Sequence, residues 1–153
     1  YSAGDEKIGQ IVGGNSAVGR KIKEAFLAKT PALAKLREKV KKFAEKGSLP
    51  GLDGRRLYVR SPHKALNTLL QGGGAVVMKV ALVMLSTSLK DNDIPHKFVI
   101  NCHDEWQIET PTKYAKVVAE FGVSAIKDAG VALQLRCPMS GEAKIGASWL
   151  ETH

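Results

Sequence analysis

Between Lys97 and Thr110, two runs rich in β-branched and aromatic residues, Phe98–Asn101 and Trp106–Thr110, stand on either side of His103-Asp104-Glu105. Such side chains suit the pleated, half-buried surface of a strand, and a short polar break between two such runs predicts a β-hairpin. A hairpin fixes its own register and here puts adjacent carboxylates at its tip. Two readings of Asp104 and Glu105 fit that position. They are ordinary turn residues, since Asp favours turns. Alternatively they are hard oxygen ligands for magnesium, which takes one or two carboxylates and keeps room for substrate phosphates.

The chain of 153 residues is the size of one ordinary domain, so one compact unit is expected, with room for a proper core. Its 44% hydrophobic and 25% charged residues are ordinary globular values. No run approaches the roughly 18 consecutive apolar residues of a membrane-spanning helix, so a soluble protein without a membrane partner is expected. A net charge of +8 favours a polyanionic partner, nucleic acid before an anionic membrane surface. Cys102 and Cys137 are too few for a disulfide framework or a zinc site, and no secretory signal is visible, which points to a reducing cytoplasm. The start at Tyr1, without an initiator Met, fits a processed or excised piece.

Along the chain, Asn15 is placed to cap a helix to about Lys29 with Val18, Ile22 and Phe26 on its apolar face. Thr30 and Pro31 open a second helix carrying Leu33, Leu36, Val40 and Phe43, closed at Gly47, with Lys, Arg and Glu on its other side. That charged side reads either as a solvated surface or as a phosphate-contact surface. Leu49–Arg60 reads as a second hairpin made strongly positive by Arg55, Arg56 and Arg60. A long helix from Ser61-Pro62 to about Leu89 contains Gly72-Gly73-Gly74, which predicts either a bend or close packing against the backbone. After the central hairpin come a helix from Thr112 to about Asp128, a strand over Val131–Cys137 and a Trp-containing strand or irregular ending. The order gives an α+β domain on an antiparallel sheet with packed helices.

His63, Asn67 and Gln71 recur every four residues and make a polar stripe. It reads as a solvated face, or as donors for the minor groove, where every base pair offers an acceptor at N3 or O2.

The segments Tyr1–Gly9, Gly51-Leu-Asp-Gly-Arg-Arg56, Val59-Arg-Ser-Pro-His63, Ala65-Leu-Asn-Thr-Leu-Leu-Gln71, His103-Asp-Glu105, Arg136-Cys137 and Trp149-Leu-Glu-Thr-His153 occur here in one order and spacing. Over essentially its whole length the chain resembles the C-terminal palm and fingers part of family A DNA polymerases, above all those of short-tailed phages. The resemblance implies a palm-type antiparallel sheet with His103-Asp104-Glu105 as motif C at a hairpin tip. Asp104 would be a catalytic ligand of two magnesium ions, Glu105 an auxiliary catalytic and metal-binding carboxylate, and His103 a neighbour of the primer terminus. His63, Asn67 and Gln71 would contact the DNA minor groove, with Arg60 a further DNA contact, and Tyr1 would face nucleotide and template. Implied partners are primer-template DNA and deoxynucleoside triphosphates, in the cytoplasm of a phage's host cell.

In the family, a second metal-binding aspartate, and a lysine and an aromatic that address the nucleotide, lie upstream of the segment matched by Tyr1. The chain is therefore expected to need an N-terminal polymerase part carrying that aspartate, and to be inactive alone. Ser2, where the family usually has glycine, would suit a former intein junction, or ordinary drift. Two other readings stand beside the split polymerase: a non-catalytic DNA-binding module, and a structural fragment that self-associates through a former interface.

Overall fold

The computed structural model describes residues 3–153. Tyr1 and Ser2, and with them the expected nucleotide contact and junction residue, lie outside the described residues. Contacts divide the chain into two compact units, Tyr1–Gly73 and Gly74–His153.

The first unit contains α1 (Asp5–Ile11), α2 (Ser16–Lys29), α3 (Pro31–Ala44), the strands β1 (Ser48–Pro50) and β2 (Arg56–Tyr58), and the start of α4 (Ala65–Asp91). Asn15 caps α2 as its side-chain chemistry dictates, its Oδ1 accepting from the backbone N–H groups of Ala17 and Val18 at 3.1 and 3.2 Å. Thr30 does not cap α3. Its hydroxyl donates to the Phe26 carbonyl at 2.8 Å and so closes α2 instead. Glycine lets α1 and α2 touch backbone to backbone: a Cβ on Gly19 would overlap the Asp5 carbonyl, and one on Gly9 the Asn15 carbonyl. Lys23 Nζ reaches Asp5 across this contact at 2.9 Å, with Arg20 Nε at 3.6 Å, and the Lys23 hydrogen bond holds the Asp5 carboxyl below its ordinary pKa. Val18, Ile22 and Phe26 share the expected face, but they are 41%, 41% and 55% exposed, so that face is not core.

The core of this unit is Val40, Ala44, Leu49, Ala65 and Leu66, ringed by Leu33, Leu57, Val59 and Leu69. The pairing Leu49↔Leu57 turns these two leucines inward and leaves Arg56 and Tyr58 on the outer face. The long helix starts later than expected: Ser61 makes no side-chain cap, Pro62–Lys64 is a 3-10 turn, and α4 then runs unbroken through the three glycines. Gly72 explains itself by close packing, since a Cβ there would sit 2.9 Å from Leu57 Cδ1; Gly73 and Gly74 face open space.

The second unit takes the rest of α4, the strands β3 (Lys97–Cys102) and β4 (Glu105–Glu109), α5 (Ala115–Ala132) and α6 (Trp149–Thr152). Val77, Ala81, Leu85 and Leu89, four residues apart on α4, form a buried stripe that packs with Ile94 and with Val118, Ala125 and Ala129 of α5. By length and composition alone Pro62–Asp91 could cross a membrane, contrary to the expectation that no segment could; here one stripe of it is core. The expected helix start at Thr112 is a 3-10 turn, and α5 runs past Asp128 to Ala132. The strand expected over Val131–Cys137 does not form. Leu133 and Leu135 N–H groups bond back to the Ala129 and Gly130 carbonyls, closing the helix, and among the described residues no neighbouring strand offers a ladder. The Trp149 segment is a short helix, not a strand. The fold is thus α+β, its antiparallel pairing confined to two separate two-stranded pieces.

Candidate functional site

The hairpin β3–β4 forms where the alternation predicts it. Cys102 pairs with Glu105, which leaves His103-Asp104 as a two-residue turn. His103 adopts φ +52°, a left-handed conformation that His tolerates better than most residues. Lys97 pairs with Glu109 at the far end, and their side chains meet at 3.4 Å. Between these ends β3 carries one extra residue, because Phe98 opposes Ile108 while Ile100 opposes the next residue, Gln107. Val99 is therefore the centre of a β-bulge, a device common beside functional sites.

The two carboxylates at the tip differ in kind. Asp104 is exposed and, among the described residues, makes no side-chain hydrogen bond or ion pair. Glu105 is half-buried with both oxygens engaged: Gln107 Nε2 donates to Oε1, and His153 Nδ1 lies 3.0 Å from Oε2. Chiefly the Gln107 hydrogen bond, and then the His153 contact, hold the Glu105 carboxyl below its ordinary pKa. Thr152 donates to Gln107 Oε1 at 3.1 Å, and Trp149 meets His153 edge to face at 5.7 Å, so α6 is laced to β4 by side chains 45 and 48 residues away in sequence. A cleft of about 950 Å³ opens here, lined among others by Asp104, Glu105, Gln107, Lys144, Trp149 and His153.

Among the described residues no three His, Cys, Asp or Glu side chains converge as a self-sufficient metal cage. What the tip offers is one free carboxylate and one restrained neighbour. That suits magnesium, which binds through one or two carboxylates and completes its shell with substrate oxygens and water.

The other sequence-predicted residues belong to the first unit. His63 sits in the 3-10 turn rather than on α4, so only Asn67 and Gln71 share an α-helical face. His63, Gln71 and Arg60 are exposed, whereas Asn67 is half-buried with Oδ1 shut off from solvent and unpartnered among the described residues. His63 borders a cleft of about 550 Å³ with Asp5, Lys23, Arg37 and Lys41. Charge divides as unevenly as the residues do. Residues 1–73 hold fifteen Lys and Arg against six Asp and Glu, while residues 74–153 hold eight against nine. Gln107 carried no signal in the sequence as a site residue; the matching ending Trp149–His153 was the only pointer to Thr152 and His153.

Comparison with known proteins agrees with this architecture. The profile of DNA polymerase family A matches residues 1–151, and the chain belongs to that family. Among its relatives, the DNA-directed DNA polymerase of Enterobacteria phage T3 is 38% identical over 175 residues, covering 100% of this chain and 25% of the relative. That of Escherichia phage Phieco32 is 38% identical over 160 residues, with 100% and 26% covered. That of Escherichia phage T7 is 37% identical over 175 residues, with 100% and 25% covered. The chain spans about a quarter of the length of these curated relatives. A solved structure, described as the POL domain of Pol1 from M. smegmatis in complex with DNA primer-template and dNTP, superimposes with a TM-score of 0.71. The match covers 82% of this chain and 24% of that one at 19% identity, a likeness of fold.

Proposed function

We propose that this chain supplies motif C and the primer-template contacts of a DNA-directed DNA polymerase, and needs an N-terminal part carrying the second catalytic aspartate. The observation that carries the reading is Asp104: an exposed, unpaired carboxylate on a tight two-residue turn, in a chain of this family. Asp104 would hold magnesium, with Glu105 as the auxiliary carboxylate, kept ionised by Gln107 and His153. The two bound ions would activate the primer 3′-hydroxyl and neutralise the triphosphate and leaving pyrophosphate. His103 would stand beside the primer terminus, and His63, Asn67 and Gln71 would test minor-groove geometry through acceptors common to all base pairs. Arg60 and the positive first unit would hold phosphates with salt-sensitive affinity. For a phage-like protein the place of action is the host cytoplasm.

A second reading, DNA binding without chemistry, is favoured by the engagement of both Glu105 oxygens. Primer extension with magnesium and all four deoxynucleotides separates them, with the chain alone and then mixed with a protein carrying the upstream polymerase region. Extension is expected only in the mixture, and Asp104→Ala is expected to reduce it about a thousandfold, since metal-supplied charge stabilisation amounts to several kcal/mol. Extension indifferent to Asp104→Ala would leave the binding-module reading.

A further inference from the structure

Strand β2 carries an outward face that the proposed activity does not use in full. Burial alternates from Arg56 to Arg60: Leu57 and Val59 pack around the core, while Arg56, Tyr58 and Arg60 are exposed. Tyr58 is 78% exposed, an uncommon position for a large aromatic side chain. Its cross-strand neighbour is Ser48 and that of Arg56 is Pro50, neither of which covers a ring or neutralises a guanidinium. Among the described residues neither Arg56 nor Arg60 takes part in an ion pair; the neighbouring Arg55 is the one satisfied, by Asp53.

An open aromatic face on β2 with a free guanidinium beside it at Arg56 and a second at Arg60, in the bend two residues past Tyr58, has a definite chemistry. Every base has a π-face, so a ring of this kind stacks bases without regard to sequence, while flanking cations take the phosphates. Arginine adds planar, bidentate phosphate contacts and can itself stack. The charge of this unit, fifteen basic against six acidic residues, complements a polyanion. In a duplex the bases are already stacked on one another, so the feature that selects the single strand is the exposed ring.

We infer that Arg56, Tyr58 and Arg60 form a stacking platform for unpaired, single-stranded DNA, separate from the minor-groove contacts assigned to His63, Asn67 and Gln71. The inference rests on the reading that the chain handles DNA, and not on the metal role of Asp104.

The test is fluorescence anisotropy of the whole chain with a labelled oligo-dT strand and, separately, with a labelled blunt duplex. Tyr58→Ala is expected to weaken oligo-dT binding about tenfold, from the loss of one base stack, and to leave duplex affinity unchanged; Tyr58→Phe retains both. Arg56→Gln and Arg60→Gln are each expected to lower the salt slope for oligo-dT by about 0.7, the value for one single-strand phosphate contact. Oligo-dT affinity unaltered in Tyr58→Ala, or equal losses on both DNAs, overturns the platform. So does an oligoglutamate peptide that competes as well as oligo-dT, which would identify an acidic protein segment as the occupant. Tyr58 is 78% exposed, so its variants should melt as the parent does. Failure of this inference leaves the Asp104→Ala extension result unaffected, and the reverse holds equally.

Discussion

Residues 1–73 and 74–153 are close in length and opposite in character. The first region is strongly basic with a small core of Val40, Ala44, Leu49, Ala65 and Leu66; the second is near neutrality and is built around the α4 stripe Val77, Ala81, Leu85, Leu89. On the proposed function the first region would meet a polyanion, and its charge is spread over helices and a hairpin that need only be roughly in place, because Coulomb attraction is long-ranged and non-directional. On the same proposal the second region would present two carboxylates in fixed orientation, and there buried aliphatic packing lies beneath a hairpin. Among the described residues Asp104 has no lysine or arginine partner, which suits a near-neutral region.

The sharpest way to break that contrast is Leu85→Ala. Leu85 is fully buried, and its truncation is expected to cost about 2–5 kcal/mol in urea unfolding. Val83→Ala on the same helix, 66% exposed, serves as control. Equal effects at the two positions would mean the stripe is not what organises the second region. Next in size is Gly19→Ala, where the added methyl meets backbone that cannot move aside and is expected to cost about 1–3 kcal/mol. Thermal melting that is unchanged by Gly19→Ala would show that α1 and α2 are not locked by the contact between their backbones.

The smallest effect concerns pH. Glu105 has a carboxyl pKa below its ordinary value in the folded chain, so it contributes stability above the ordinary carboxylate range and loses it as pH falls through the folded value. Glu105→Gln is therefore expected to flatten the acid limb of a stability–pH profile between about pH 5 and 3. A limb as steep as the parent's would assign the acid sensitivity to other carboxylates, such as Asp5, which is held low by Lys23.

The central hairpin was legible because two independent signals, side-chain alternation and a polar break, coincide over fourteen residues. The helices were legible from apolar spacing, and Asn15 and Pro31 acted where their chemistry places them. Val131–Cys137 misled because alternation is a property of side chains, whereas a strand also needs a neighbour for its backbone, and none is paired with it. Thr30 misled because a hydroxyl between two helices can serve either one, and it donates backwards to Phe26. Of the site, adjacency in sequence showed Asp104 and Glu105 together, but nothing local distinguishes them. The distinction is made by Gln107 and by His153, which lies 48 residues away, and a long-range contact of that kind leaves no periodic trace.

The extra residue at Val99 has one more consequence. In a pleated ribbon the side to which each residue points is a matter of parity, and a bulge changes odd to even for everything that follows it. Because β4 pairs without a gap, deleting Val99 would remove the bulge and its local twist and leave the tip, with its carboxylates, in the same register against β4. The bulge thus takes up the odd residue: β3 can lose a residue at Val99 without moving any pair of the ladder, whereas β4, paired throughout, has no such slack.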